Sequence, residues 1–138
     1  MLLTYRELQN YKHMKKNILV VEDERSMQML LENFLSQSFS VVVMGHGKEA
    51  FDWLQSGQIP ALIIADINMP EMDGYEFVKS LKTSGYFRDI PIIMLSGTDS
   101  STERVKFLRL GARDYLVKPF NPEELMLRVE LLLKDATV

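Results

Sequence analysis

The chain has no cysteine, so it carries neither a disulfide framework nor a thiolate metal site. No apolar stretch approaches the roughly 18 residues that cross a bilayer. The opening, MLLTYRELQNYKHMKK, lacks the continuous apolar core and small-residue cleavage site of a signal peptide. A cytoplasmic protein without membrane contact is the expectation. Positive charge is also short: 16 Lys and Arg against 19 Asp and Glu leave a net charge of −3. That balance gives no broad basic surface to neutralise nucleic-acid phosphates, so no direct nucleic-acid partner is expected. Linkers, low-complexity tracts and internal repeats are missing. What is left is an ordinary globular composition, 46% hydrophobic and 25% charged over 138 residues, a length that suits one domain with a substantial core.

Residues 1–16 read as an N-terminal extension and 17–138 as the domain. In the extension, Leu2, Leu3, Leu8 and Tyr11 fall near one face of a short helix that runs into a basic stretch from Lys12 to Lys16. Both a loosely docked tail and a partner-binding or dimer-forming helix fit it. From residue 17 the pattern alternates. Strands are predicted over 17–21, 39–44, 61–67, 91–95 and 114–117, and helices over 24–37, 48–55, 75–83, 101–110 and from 121 to about 134. In the first helix Met27, Leu30, Leu31, Phe34 and Leu35 recur at helical spacing, and in the third Phe77, Val78 and Leu81 make the inner face. Gly111 stops the fourth. The last opens on Asn121-Pro122-Glu123-Glu124, a cap followed by proline at the first helical position and glutamate at the third. Five strands alternating with five helices give an α/β fold: a doubly wound five-stranded parallel sheet flanked by five helices in a three-layer sandwich.

The ends of the strands carry the chemistry. ILVV runs into Glu22-Asp23, ALIIA into Asp66, PIIML into Ser96-Gly97, and YLV into Lys118-Pro119. Short continuous apolar runs are the mark of parallel strands buried on both faces, and ligands of such sheets sit outside their carboxyl ends. Three carboxylates, a hydroxyl and an ammonium therefore converge. Asp66 is placed to act as a nucleophile towards phosphorus, forming an acyl phosphate. Glu22 and Asp23 beside it would repel one another unless a cation is bound or one acid is protonated. Mg2+, with Mn2+ as an alternative, prefers such oxygen donors, and the natural set is Asp23 and Asp66 directly, the backbone carbonyl of Asn68, and Glu22 through water. Lys118 offers a compact charge to a phosphoryl oxygen, with Pro119 a candidate cis peptide that would aim the lysine inward. Ser96 offers its hydroxyl, and Gly97 leaves the approach open. Each has an ordinary reading alone: a turn aspartate, an acidic helix start, a surface lysine, a Ser-Gly turn. Their joint occurrence on strand ends argues against coincidence.

The chain resembles the receiver domain of a two-component response regulator, of the CheY-like, flavodoxin-like fold. The resemblance rests on Val20-Val21-Glu22-Asp23-Glu24, the stretch Asp66 to Gly74, Ser96-Gly97, Gly111-Ala112, and Asp114 to Phe120, and covers about 17–134. It implies that Asp66 takes a phosphoryl group from the phosphohistidine of a sensor histidine kinase or phosphotransfer protein, in a Mg2+-dependent reaction. It implies that Lys118 and Ser96 bind the phosphoryl oxygens, and that Ser96 and Tyr115 form a switch that remodels the 100–134 face for a downstream protein partner or effector domain. Such a protein is a signalling phosphoacceptor, not a turnover enzyme on a free substrate.

Several positions depart from the family's commonest pattern. Glu22 replaces an aspartate, Ser96 replaces threonine, Ala61 stands where an aspartate often opens the third strand, and Ala65 is smaller than the usual neighbour of the acceptor. None removes a chemical group. Asn68 and Thr98 resemble positions that tune acyl-phosphate lifetime. Asp114 and Arg128, with Arg104 and Lys106, resemble part of the charge set through which winged-helix regulators dimerise, so a phosphorylation-linked homodimer through residues 100–134 is expected, although Arg113 stands where an acid is often found. His13 and His46 receive no role, for want of acidic or cysteine neighbours at ligand spacing. The methionines read as core filler, Met69 and Met72 in the acceptor loop excepted.

Other classes fit less well. A dehalogenase-type phosphatase wants a second aspartate where Asn68 stands, and a cap domain that the chain is too short to hold. A flavodoxin-like cofactor binder needs a phosphate cradle where Glu22 and Asp23 stand, and the P-loop signature is missing. The alternative that keeps the fold is a non-phosphorylated pseudo-receiver acting as a protein-binding module.

Overall fold

The computed structural model describes residues 2–8 and 16–135. Five parallel strands form one sheet: β1 (Asn17–Val21), β2 (Ser40–Met44), β3 (Leu62–Asp66), β4 (Ile92–Ser96) and β5 (Asp114–Val117). Between and after them run α1 (Arg25–Leu35), α2 (Gly47–Gln55), α3 (Gly74–Lys82), α4 (Ser101–Leu110) and α5 (Pro122–Asp135). The sheet order is β2-β1-β3-β4-β5. The chain thus builds outward in one direction from β1 and then returns to build in the other from β3, which opens a crevice beside the carboxyl ends of β1 and β3.

Period-two alternation along the strands divides the core. Leu19, Val21, Ile63, Ala65, Ile92 and Met94 face one side, where Ala50, Leu54, Phe77, Val78, Leu81 and Phe107 cover them from α2, α3 and α4. Ile18, Val20, Leu62, Ile64, Ile93 and Leu95 face the other, under Leu31 and Leu35 of α1 and Leu125, Val129 and Leu133 of α5. The central strands β3 and β4 are buried along their whole length. Apolar residues on both faces are what made them read as unbroken runs. The three-layer sandwich with five strands and five helices around it is the expected architecture, and a further helical turn occupies residues 5–8.

That turn begins with a reciprocal cap: Thr4 N–H donates to the Glu7 carboxylate at 2.8 Å, and Glu7 N–H to the Thr4 hydroxyl at 3.1 Å. Leu2, Leu3, Tyr5 and Leu8 are exposed, and Tyr11 lies outside the described residues, as does His13. Among the described residues no helix is long and apolar enough to cross a membrane.

Three sequence expectations need correction. Leu30 is 42% exposed and does not belong to the inner face of α1, because a residue beside Leu31 sits about 100° round the helix from it. The methionines are not uniformly core: Met94 is buried, but Met29 is about half exposed, whereas Met69, set aside as a loop residue, is buried. β4 runs one residue past its expected end, to include Ser96, whereas β3 stops at Asp66, one residue short of the expected 67.

Two glycines are fixed by geometry. Gly111 caps α4 at φ +122°, where a side chain is strained, with the Lys82 stem packed against it. Lys82 spans to the carbonyls of Arg88 (2.9 Å) and Ile90 (3.2 Å), and burial pushes its ammonium below the ordinary lysine range. Gly74 closes the loop after β3: its N–H donates to Ile67 O at 2.7 Å, and a Cβ there would lie 2.7 Å from Ile67 Cα and 2.9 Å from the Asp66 carbonyl oxygen. Backbone cannot yield as a flexible side chain does. Gly74→Ala is therefore expected to cost about 1–3 kcal/mol. Urea unfolding checks it: the midpoint should fall with the slope unchanged, and an unshifted midpoint would mean that the loop has slack.

Candidate functional site

Sheet register assembles the site. Val21 lies opposite Ala65, so Glu22 comes next to Asp66 at the adjoining strand ends. Asp66 lies opposite Leu95 and Ser96 opposite Val117, which brings Lys118 to the same edge. The Lys118 N–H donates to Ser96 O at 2.7 Å, and the Lys118–Pro119 peptide is cis, the form anticipated from the sequence. Carboxylate oxygens of Glu22, Asp23 and Asp66 lie within 4.8 Å of one another. Lys118 Nζ sits 2.7 Å from Glu22 Oε1 and 3.2 Å from Asp66 Oδ2.

Glu22 is fully buried and both of its oxygens are engaged, Oε1 by Lys118 and Oε2 by the Glu24 N–H at 3.0 Å. Its burial pushes the carboxyl above the usual range, more than the hydrogen bonds from Lys118 and Glu24 bring it down. For Lys118 burial works the other way, but the hydrogen bond it donates to Glu22 and the charges of Asp66 and Glu22 outweigh it and hold the ammonium above the ordinary lysine range. Asp23, by contrast, is exposed. The acidic stretch after β1 is not needed to start α1, because Glu24 caps that helix through the Ser26 and Met27 amides at 3.1 and 2.8 Å. The Ser26 hydroxyl and these amides keep Glu24 below the usual carboxylate range. Glu22 and Asp23 are thus spared the capping role.

The loop after Asp66 is held at several points. Asn68 N–H donates to Asp66 Oδ1 at 3.3 Å, Asp73 caps α3 through the Glu76 N–H at 2.9 Å, and Glu71 adopts φ +68°. His46 does have acidic neighbours, contrary to the sequence reading: it caps α2, its Nε2 is 3.6 Å from Glu49 and its Nδ1 3.8 Å from Glu71 of the loop. Glu71 is remote in sequence, which is why spacing did not reveal it.

Ser96 and Tyr115 are brought together, but by a residue the sequence did not single out. The buried Ser96 hydroxyl donates to Glu103 Oε1 at 2.8 Å, and the Tyr115 hydroxyl donates to the same oxygen. Thr98 adds its hydroxyl to that oxygen at 3.2 Å. Glu103 stands three residues after the cap Ser100, so its signature reads as helix capping and nothing more. The Arg104 guanidinium lies 5.3 Å from the Tyr115 ring centre. Nearby, Arg128 bridges Asp114 at 3.2 Å and Glu124 at 3.4 Å, and Arg104 pairs with Asp99 at 3.4 Å. These residues line a groove of about 460 Å³ between α4, β5 and α5.

Comparison with known proteins agrees with this geometry. The response regulator receiver domain model matches residues 18–130. A probable transcriptional regulator ycf27 of Cyanophora paradoxa is 43% identical over 121 residues, 87% of this chain and 49% of the relative. The response regulator MprA of Mycolicibacterium vanbaalenii is 41% identical over 125 residues, 90% of this chain and 53% of the relative. The chain therefore spans about half the length of these relatives. Among solved structures, the receiver domain of the Francisella response regulator 1452 superposes with a TM-score of 0.80 at 31% identity, covering 88% of this chain and 98% of that one. A sensor histidine kinase receiver domain from Pseudomonas aeruginosa, with a magnesium ion coordinated in its active site cleft, gives 0.79 at 28% identity over 86% and 98%. With strands, acids and lysine arranged as described, the chain belongs to the receiver domains of two-component response regulators.

Proposed function

We propose that Asp66 is a phosphoacceptor that receives its phosphoryl group from a phosphohistidine on a sensor kinase or phosphotransfer protein. The observation that carries this reading is Lys118 Nζ lying between Glu22 and Asp66 at the edge of three converging carboxylates. An Asp66 carboxylate oxygen forms the new bond to phosphorus while the phosphorus–nitrogen bond breaks and its electron pair stays on the imidazole. Lys118, held 3.2 Å from Asp66 by its pairing with Glu22, is near enough to bind a phosphoryl oxygen there. Ser96 supplies a hydroxyl to another.

The donor set fits a hard divalent cation. Three carboxylates against one ammonium leave a deficit of two positive charges, and all the donors are oxygens. Asp23 and Asp66, with the Asn68 carbonyl, would hold Mg2+ (or Mn2+). Glu22, whose oxygens are engaged by Lys118 and the Glu24 amide, would act through water. When bound, the ion neutralises charge on the transferring phosphoryl group. The chain works as a stoichiometric signalling acceptor and not as a turnover enzyme, in the cytoplasm, and it signals by remodelling its 100–134 face for a protein partner, an attached effector or a second copy.

Three outcomes are expected. Acetyl phosphate with Mg2+ adds one phosphoryl group by intact mass; an adduct that persists in Asp66→Asn, or in EDTA, would remove Asp66 or the metal from the reaction. Mg2+ at about ten times its Kd stabilises the fold by about 1.4 kcal/mol, roughly 4 °C in Tm. Asp23→Asn should abolish most of that rise. Finally, sedimentation should show dimers after beryllofluoride and Mg2+ addition, and an unchanged monomer would rule out the phosphorylation-linked dimer.

A further inference from the structure

Glu103 takes no part in the chemistry above, yet one of its oxygens is where the switch residues meet. Oε1 accepts the hydroxyls of Ser96 at 2.8 Å, Thr98 at 3.2 Å and Tyr115. Its backbone is fixed as the third residue of α4, where the Glu103 N–H donates to the Ser100 hydroxyl at 3.2 Å. In a Ser-x-x-Glu helix start the glutamate side chain ordinarily turns back on the N–H of the cap. Here Oε1 reaches across loop 97–100 to the carboxyl ends of β4 and β5. Ser96 is 1% exposed and Tyr115 5%, so each hydroxyl needs a partner inside the protein; the Thr98 carbonyl lies 3.0 Å from Ser96 and 3.4 Å from Tyr115, but the ionised Glu103 oxygen is nearer to both and the stronger acceptor. The hydrogen bond from Tyr115, with those from Ser96 and Thr98, holds the Glu103 carboxyl below the usual range and keeps it ionised.

A serine hydroxyl has one proton. While Ser96 donates it to Glu103, it cannot donate it to a phosphoryl oxygen on Asp66. We propose that Glu103 is a positioning residue that holds Ser96 and Tyr115 on a shared oxygen before phosphorylation, and that a phosphoryl group on Asp66 must take the Ser96 proton away from it. The inference rests on the phosphoacceptor reading of Asp66. It gives the switch a physical link: one atom joins the two hydroxyls, so withdrawing Ser96 changes the acceptor that anchors Tyr115. Phosphoryl oxygen and carboxylate compete for the same donor, and removing the carboxylate favours the phosphorylated arrangement.

The test is titration of the Mg2+-loaded protein with beryllofluoride, a phosphoryl mimic, with occupancy read from the bound fluoride resonances by 19F NMR. Glu103→Ala should bind it about fivefold more tightly, the worth of one released hydrogen bond. Glu103→Gln, which keeps the side-chain volume and an uncharged acceptor, should fall between wild type and Glu103→Ala. In a Ser96→Ala background the Glu103→Ala gain should shrink to no more than about twofold, a loss that general loosening of α4 would not produce. Unchanged or weaker binding by both Glu103 variants would overturn the inference, as would an undiminished gain without the Ser96 hydroxyl. If no protein, wild type included, binds beryllofluoride, the phosphoacceptor reading falls and takes this one with it.

Discussion

Two carboxylates with little or no access to water, Glu22 and Asp66, face a single ammonium on Lys118, with a third acid, Asp23, at the rim. Charges of one sign do not gather in a buried place unless the backbone compels them to, and here the sheet does so. Each of the four groups stands at the end of a strand or just past it, and the register of parallel pairing leaves no freedom to part them. The cost of holding them together is offset by apolar burial on both faces of β1, β3 and β4. A fold with a less rigid centre would relax by turning one acid out to solvent.

The ordering around Asp66 extends the same logic. Its loop returns so closely on Ile67 that only glycine fits at position 74, and the cap of α3 follows at once on Asp73. Glu24 relieves the neighbouring acids of helix capping. The result is a polar crevice in which the helix starts are capped by Glu24 and Asp73, while Glu22 and Asp66 each accept one amide of the adjoining loop.

Much of this was legible in the sequence, for identifiable reasons. The strands of a parallel sheet are apolar on both faces, so their runs stand out, and Asp114–Val117 and Ser101–Leu110 were read to the residue. A boundary slipped where the last residue of β4 is polar: Ser96 pairs within the sheet although composition marks it as a turn residue. Leu30 misled because hydrophobicity alone does not say on which side of the apolar stripe a neighbouring residue falls. His46 and Glu71, and above all Glu103 with Tyr115, were out of reach. The first contact joins separate loops, the second crosses from a helix to the strand after it, and a glutamate after Ser100 already has a sufficient local explanation.

Arg128 lines the groove between α4, β5 and α5. It is already shared between Asp114 and Glu124 of its own chain. An arriving acidic group can therefore only trade places with one of them, leaving the number of ion pairs as it was. Attraction of that kind adds little to how long a complex lasts, but a mismatched arrival forfeits a pair that the free molecule had. An acidic group entering the groove between α4 and α5 would therefore gain from this arginine only where it matched the geometry of the pair it displaced.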